Sequence, residues 1–217
     1  MRRQSEDWAA GEFRDGRLAC ALCDGMGGMR HGDRAARRAA DAFIQLCLHD
    51  ERCLSAAWPP SLQRVQLELA GCLGRLQAEL RERRVATTFT GLALDGQIGR
   101  LYHVGDSRAY LVSGGCFRQL STDHHVSVEQ PNLLSHALGA PQHDQLCCVE
   151  LRLEAGDRLL LCSDGFVQAG IEATVLDQLL QSATGDDDIP GLLMEEALSR
   201  GAEDNLSLVW INPETEA

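Results

Sequence analysis

The chain has 217 residues, of which 44% are hydrophobic and 24% charged, and its formal net charge is −12. These values are typical of a globular protein, and the length suits one domain with a sizeable buried core. The negative charge argues against a nucleic-acid binder that works through bulk electrostatics. All 20 basic residues are arginines, so chemistry that needs a lysine amine is excluded.

Cysteine usage and hydropathy indicate a cytoplasmic protein. No apolar run approaches the ~20 residues that span a bilayer, so we expect no membrane partner. The first six residues are not followed by an apolar stretch and do not resemble a signal peptide. The nine cysteines are irregularly spaced and mostly lie in apolar runs, which favours reduced thiols over a disulfide framework. Cys20 and Cys23 form a CxxC pair, but positions i and i+3 of a strand point to opposite faces, so no shared zinc is expected.

The first half of the chain predicts a buried strand and two amphipathic helices. The apolar run at 17–23 reads as the strand and leads into a glycine-rich loop. Asp33 is the expected N-cap of a helix whose apolar positions recur from Ala36 to Cys47. A second helix has an apolar stripe from Leu62 to Leu80. Three arginines are expected in its last turn, either as partners of the helix dipole or, alternatively, as a phosphate site: Arg81, Arg83 and Arg84.

From Thr87 on, the hydrophobic period changes to two, which predicts strands. The segment 121–146 is predicted to be irregular. Its His124 and His125 are interpreted as polar loop residues, with a place near a metal as the alternative. Short helices are expected at 175–180 and 191–198, followed by a final strand at 205–211. The other predicted strands cover 88–94, 98–104, 108–112, 116–120, a segment near Leu151 and Leu153, and 159–162. Helices between runs of meandering strands favour an α+β fold of two antiparallel sheets with helices outside.

Acidic residues stand at the ends of several predicted strands. Asp24, Asp106 and Asp164 each follow an apolar run, whereas Asp7 and Asp204 each come shortly before one. In antiparallel sheets the end of one strand lies beside the start of the next, so these acids can share one edge. Massed carboxylates repel each other unless cations lie between them. Taken alone, Asp24 and its glycines are also compatible with a simple tight turn.

Together these motifs resemble the metal-dependent protein phosphatases, the type 2C serine/threonine phosphatases, and especially their small bacterial members. The resemblance covers almost the whole chain and implies a single domain, 1–217, with a shortened N-terminus and a shortened flap at about 123–139. The implied fold is a four-layer αββα sandwich of two antiparallel sheets flanked by helix pairs. The motifs, in family order, are Arg2-x-x-Ser5-Glu6-Asp7, Asp24-Gly25-Met26-Gly27-Gly28, Gly105-Asp106-Ser107-Arg108-Ala109-Tyr110, Asp123-His124, Ser163-Asp164-Gly165 and Asp204-Asn205.

The resemblance also implies a binuclear centre of Mn²⁺ or Mg²⁺. Asp24 would bridge both ions, and the Gly25 carbonyl would hold one of them. Asp164 and Asp204 would complete the protein ligands of the first ion. Oxygen ligands of this kind suit both metals.

Further roles follow from the same resemblance. Asp7 and Glu6 would bind the ions directly or through waters. Asp106 together with Asp164 matches a third, weaker metal site of bacterial members. Arg2 would grip the substrate phosphate, so that Arg2 and Asp24 would be the catalytic residues.

The implied reaction is the hydrolysis of phosphoserine or phosphothreonine by a water that two cations activate. The partners would be a phosphorylated protein and a cognate bacterial Ser/Thr kinase whose action the enzyme reverses. Two alternatives stay open: a catalytically inactive module of the same fold that binds phosphoproteins, and a phosphatase of an anti-sigma-factor antagonist.

Overall fold

A computed structural model describes residues 5–26, 31–50, 58–127, 130–140, 144–183, 185 and 188–213. Within them, a five-stranded and a four-stranded antiparallel sheet pack face to face. Helices cover the outer face of each sheet. The predicted α+β fold and its αββα layering are therefore confirmed.

The elements follow the chain in the predicted order, with three additions. A short helix follows Ser163, and two short strands lie in the segment that was predicted to be irregular. In chain order the elements are β1 Asp7–Arg14, β2 Arg17–Asp24, α1 Gly32–Leu48, α2 Leu62–Leu80, β3 Phe89–Asp95, β4 Ile98–Val104, β5 Arg108–Ser113, β6 Cys116–Gln119, β7 His125–Ser127, β8 Gln130–Leu134, β9 Cys147–Arg152, β10 Arg158–Cys162, α3 Asp164–Gln168, α4 Ala173–Ser182, α5 Ile189–Ser199 and β11 Leu208–Ile211.

The five-stranded sheet has the order β1-β2-β3-β4-β9, and β2 lies next to its edge. Alternate residues of β2 serve two different cores, as the period of two requires. Ala19, Ala21 and Cys23 pack with α1 and α2, whereas Cys20 and Leu22 pack against the second sheet. Cys20 and Cys23 therefore point to opposite faces, as predicted. Burial raises the pKa of the Cys20 thiol to about 12.

Two helices cover the outer face of this sheet, and their apolar stripes are buried as predicted. The predicted helix ends were wrong. His31, in the left-handed conformation with φ 67°, occupies the N-cap position of α1, and Asp33 lies in the first turn. Helix α2 ends at Leu80, and its last turn contains no basic residue. Arg81 is the left-handed C-cap, so the arginine run lies in the loop after the helix.

The four-stranded sheet has the order β11-β10-β5-β6, and α3, α4 and α5 pack on its outer face. Strand β11 is shorter than predicted and begins at Leu208. The two additional strands, β7 and β8, pair with each other in a separate ribbon. This ribbon lies within the predicted flap segment, whose shortened length stays a prediction.

The predictions about thiols and membranes can be compared with the described residues. The eight cysteines among them are all free. None of the helices in the described ranges is both long enough and apolar enough to cross a bilayer.

Candidate metal centre

The pairing of β1 with β2 brings two of the predicted acids together. Asp7 is the first residue of β1 and Asp24 the last of β2, and the antiparallel register places them directly opposite each other. Residues paired in this way have Cα atoms roughly 4.5–5.5 Å apart. Two carboxylates 17 positions apart in the chain are therefore neighbours at one edge of the sheet.

The backbone of Asp24 is held by two threonines that precede β3. Thr87 Oγ1 donates a hydrogen bond of 2.8 Å to the Asp24 carbonyl oxygen. The N–H of Thr88 donates to the same oxygen at 2.8 Å, and Thr88 Oγ1 accepts from the Asp24 N–H at 2.8 Å. Thr88 Oγ1 also lies 2.9 Å from Ser107 Oγ, next to Asp106. The sequence interpretation missed these threonines, although two polar residues directly before an apolar strand were a usable signal.

Gly25 lies where the backbone of α1 approaches most closely. A Cβ added at Gly25 would stand 2.3 Å from the carbonyl carbon of Gly32, so no larger residue fits without movement of the backbone. The Gly25 N–H donates to the carbonyl oxygen of Glu6 at 3.0 Å, and the Met26 N–H donates to that of Ala86 at 3.2 Å. The loop after β2 is thereby fastened to its neighbours on both sides.

The second sheet supplies acids from the turn after β10 and the segment before β11. The Ser163 N–H donates to the Ser207 carbonyl oxygen at 2.9 Å, and Ser163 Oγ accepts from the Ser207 N–H at 3.0 Å. A Cβ added at Gly165 would lie 2.2 Å from the carbonyl oxygen of Asn205. This close packing places Asp164 and Asp204, which flank these residues, at the same end of the sandwich.

Asn205 connects the two sheets at this end. Its Oδ1 accepts a hydrogen bond of 3.1 Å from the N–H of Glu6, across 199 positions of the sequence. Its own N–H donates to Asp204 Oδ1 at 2.8 Å. The Asn205 side chain thus joins the segment that enters β1 to the segment that enters β11.

The carboxylates at this end influence one another electrostatically. Burial, followed by the charges of Asp7 and Asp164, raises the pKa of Asp24 from 3.8 to about 10. Burial also raises the pKa of Asp7, and the charge of Asp164 adds to the effect. Burial and the charge of Asp164 raise the pKa of Asp106 to about 7. A positive charge placed among these groups would relieve both the desolvation and the repulsion.

These residues fit a divalent cation by two tests. The donors are carboxylates and carbonyls, which are the ligands that Mg²⁺ and Mn²⁺ prefer. In addition, Asp7 Oδ2 is buried with no hydrogen-bond partner in the described part of the chain, and such an orphaned charge is costly unless a cation meets it. The carboxylates do not form a complete coordination shell as they stand, since no three His, Cys, Asp or Glu side chains within the described ranges have the spacing to hold a metal.

The β7–β8 ribbon brings histidines to this edge. The backbone of His124 donates to the Gly105 carbonyl oxygen at 2.9 Å, and its Nδ1 accepts from the Gly105 N–H at 3.1 Å. His125 Nε2 lies 3.6 Å from Asp106 Oδ2. His125 therefore lies beside an acid of the candidate site, and its place near a metal stays a prediction.

The predicted site residues divide into three groups. Asp7, Asp24 and Asp164 interact directly, and Asp106 is coupled to Asp164. Asp204, Glu6 and Gly25 join the same end through the backbone contacts described above. Arg2 lies outside the described residues, as do Gly27 and Gly28.

The chain is similar to known proteins over most of its length. Residues 4–194 match the family described as Protein phosphatase 2C. The chain is 25% identical over 221 residues to the serine/threonine phosphatase stp of Listeria monocytogenes, covering 92% of this chain and 86% of that protein. It is 29% identical over 206 residues to the serine/threonine protein phosphatase PstP of Mycobacterium tuberculosis, covering 87% of this chain and 39% of PstP. A crystal structure of the PstP catalytic domain in complex with two manganese ions superposes with a TM-score of 0.77 at 25% identity, over 97% of this chain and 92% of that one.

Proposed function

The chain belongs to the protein phosphatase 2C family, and from this premise we propose that it is a metal-dependent protein serine/threonine phosphatase. The observation that carries the proposal is the convergence of Asp7, Asp24 and Asp164 from both sheets. A reversed phosphorylation implies a kinase that installs it, so the proposed partners are a phosphoprotein and a bacterial Ser/Thr kinase. The free thiols support a cytoplasmic setting.

We further propose two divalent cations, Mn²⁺ or Mg²⁺, and a third, weaker site, all held by oxygen ligands. The proposed ligands are Asp7, Asp24, the Gly25 carbonyl, Asp164 and Asp204, with Glu6 and Asp106 contributing to the outer positions. When bound, the cations would lower the pKa of a water and neutralise phosphoryl oxygens. The manganese in the similar PstP structure supports this choice.

Hydrogen bonds within the chain hold the proposed metal ligands in place before the substrate binds. Thr87 and Thr88 lock the Asp24 backbone through three hydrogen bonds, so its carboxylate does not need to be ordered during the reaction. Asn205 links the segment before β11 to Glu6, next to β1, through its side-chain oxygen. Arg2 is the proposed phosphate clamp, because a guanidinium can donate two parallel hydrogen bonds to a phosphate.

No cysteine is needed as a nucleophile. The thiol closest to the acids in sequence, Cys23, is buried, and desolvation together with the charge of Asp24 raises its pKa well above the ordinary value. A thiol in that environment stays protonated and is a poor nucleophile. The proposed attack therefore uses water.

The test is phosphate release from a phosphothreonine peptide, with Mn²⁺ or with a chelator. We expect turnover with Mn²⁺, none with chelator, and a loss of at least about 100-fold in Asp24→Ala. Glu195→Gln, at an exposed position on α5, is the control and should match the wild type. Turnover that is indifferent to chelator would contradict the mechanism. Binding of the peptide without any turnover would favour the inactive phosphoprotein-binding module.

A further inference from the structure

An arginine loop, defined as residues 81–84, lies beside the candidate metal centre. Helix α2 ends sharply, because the N–H groups of Arg81 and Glu82 bond back to the carbonyls of Gln77 and Ala78. Arg81, Arg83 and Arg84 are all exposed. The loop is therefore not a continuation of the helix but a separate, projecting turn.

The segment after the loop leads directly to the acidic site. Val85 is buried, and its carbonyl oxygen accepts from Gln77 Nε2 at 3.1 Å. Ala86 accepts the Met26 N–H, and Thr87 binds the backbone of Asp24. Two residues of extended chain span at most about 7 Å, so the Cα of Arg84 lies within that distance of Ala86, at the rim of the site.

The loop places three arginines within four residues. Nine arginines form ion pairs with described carboxylates. Arg81, Arg83 and Arg84 have no such partner in the described ranges. The one acid in the loop, Glu82, accepts the backbone N–H of Arg84 through Oε1 at 3.1 Å. A positive turn thus stands beside the site in a chain of net charge −12.

We propose that the arginine loop selects phosphoprotein substrates that carry acidic residues beside the phosphorylated serine or threonine. This inference rests on the proposed function and adds the substrate class. Ala86, two residues after the loop, accepts a hydrogen bond from Met26, two residues after Asp24, so a substrate bound at the carboxylate cluster lies within reach of the loop. Guanidinium groups free of internal partners in the described ranges are available to carboxylates of the substrate, and they also steer an acidic partner to the site.

The test compares two phosphothreonine peptides, one with glutamates on both sides and one with glutamines at the same positions. The variant is Arg83→Gln/Arg84→Gln, and the matched control is Arg118→Gln/Arg152→Gln, which removes the same charge from two exposed positions on edge strands. We expect the loop variant to lower kcat/KM for the acidic peptide about three- to tenfold at low salt, the range for two exposed ion pairs. The glutamine peptide and p-nitrophenyl phosphate should change less than about twofold.

Two further measurements distinguish charge selection from a structural role. The difference between the peptides should shrink at high ionic strength, where exposed charges are screened. Arg83→Lys/Arg84→Lys should restore most of the preference. Equal losses on both peptides, or the same loss in the control variant, would overturn the proposal.

Failure of the proposed function would look different. In that case the wild type would not hydrolyse even p-nitrophenyl phosphate with Mn²⁺. Fluorescence anisotropy of the two labelled peptides would still decide the role of the loop. The proposal is supported if the wild type binds the acidic peptide more tightly than the glutamine peptide and Arg83→Gln/Arg84→Gln loses this difference. Equal binding of both peptides by the wild type refutes it.

Discussion

Replacing Asp24 with asparagine is expected to stabilise the protein in chelator and to abolish its stabilisation by Mn²⁺. Asparagine has nearly the same shape and is neutral at every pH, so it needs no proton to be buried beside Asp7 and Asp164. Because the pKa of Asp24 is raised to about 10, the native state holds a proton that the unfolded chain releases. Unfolding without metal therefore becomes easier as the pH rises from about 4 towards 10.

The size of the stability change follows from the shift in the pKa of Asp24. At pH 7 the unfolded chain has Asp24 ionised, about 3.2 pH units above its ordinary pKa of 3.8. At about 1.36 kcal/mol per unit, the native state loses up to about 4 kcal/mol of stability at this position. The Asp24→Asn variant should recover part of this, so its melting temperature in chelator should rise by several degrees for a domain of this size.

The assay is thermal unfolding of the wild type and Asp24→Asn in chelator and in excess Mn²⁺. The wild type should gain about 3 kcal/mol when Mn²⁺ reaches about 100 times its dissociation constant, whereas the variant should gain little. Glu195→Gln, with the same change of charge at an exposed site, should behave as the wild type. A variant that is less stable in chelator, or that keeps the full Mn²⁺ effect, would refute the argument from clustered carboxylates.

Two other predictions concern residues around the centre. Gly25→Ala would force a Cβ to within 2.3 Å of the Gly32 carbonyl carbon. We expect this to lower the free energy of unfolding by roughly 1–3 kcal/mol. Urea unfolding measures the loss, and an unchanged midpoint would contradict the close approach. His103 is buried, and burial with the charge of His124 lowers its pKa from 6.5 to about 4. Only the unfolded chain binds the proton between these values, so stability should fall by about 3 kcal/mol as the pH drops from about 6.5 to about 4. His103→Gln should flatten that part of the profile, and an unaltered pH dependence would speak against a neutral buried imidazole.

Most of the architecture could be predicted because it depends on local pattern. The strand at 98–104 was predicted with its observed bounds, and the apolar positions predicted for α1 and α2 lie on their packed faces. Predictions were wrong where an element end depends on a distant contact. His31 rather than Asp33 occupies the N-cap position of α1, since Gly32 must lie against Gly25.

The acids of the candidate site could be predicted from the sequence, but the contacts that hold them in place could not. Acids at strand ends, together with antiparallel pairing, predicted that Asp7, Asp24 and Asp164 would meet. The partners of Thr87 and Asn205 were not predicted, because they lie 63 and 199 positions away in the sequence. The metal ligands, the place of Arg2 and the shortened flap stay predictions.

The sequence by itself determined the layers and the family, because periodicity and motif order are properties of neighbouring residues. Only the tertiary structure decided that the pKa of Asp24 is raised to about 10 and that the arginine loop lies beside the acids instead of in a helix turn. The reason is physical. Desolvation and Coulomb energy depend on which atoms surround a charge, and here those atoms come from both sheets of the sandwich.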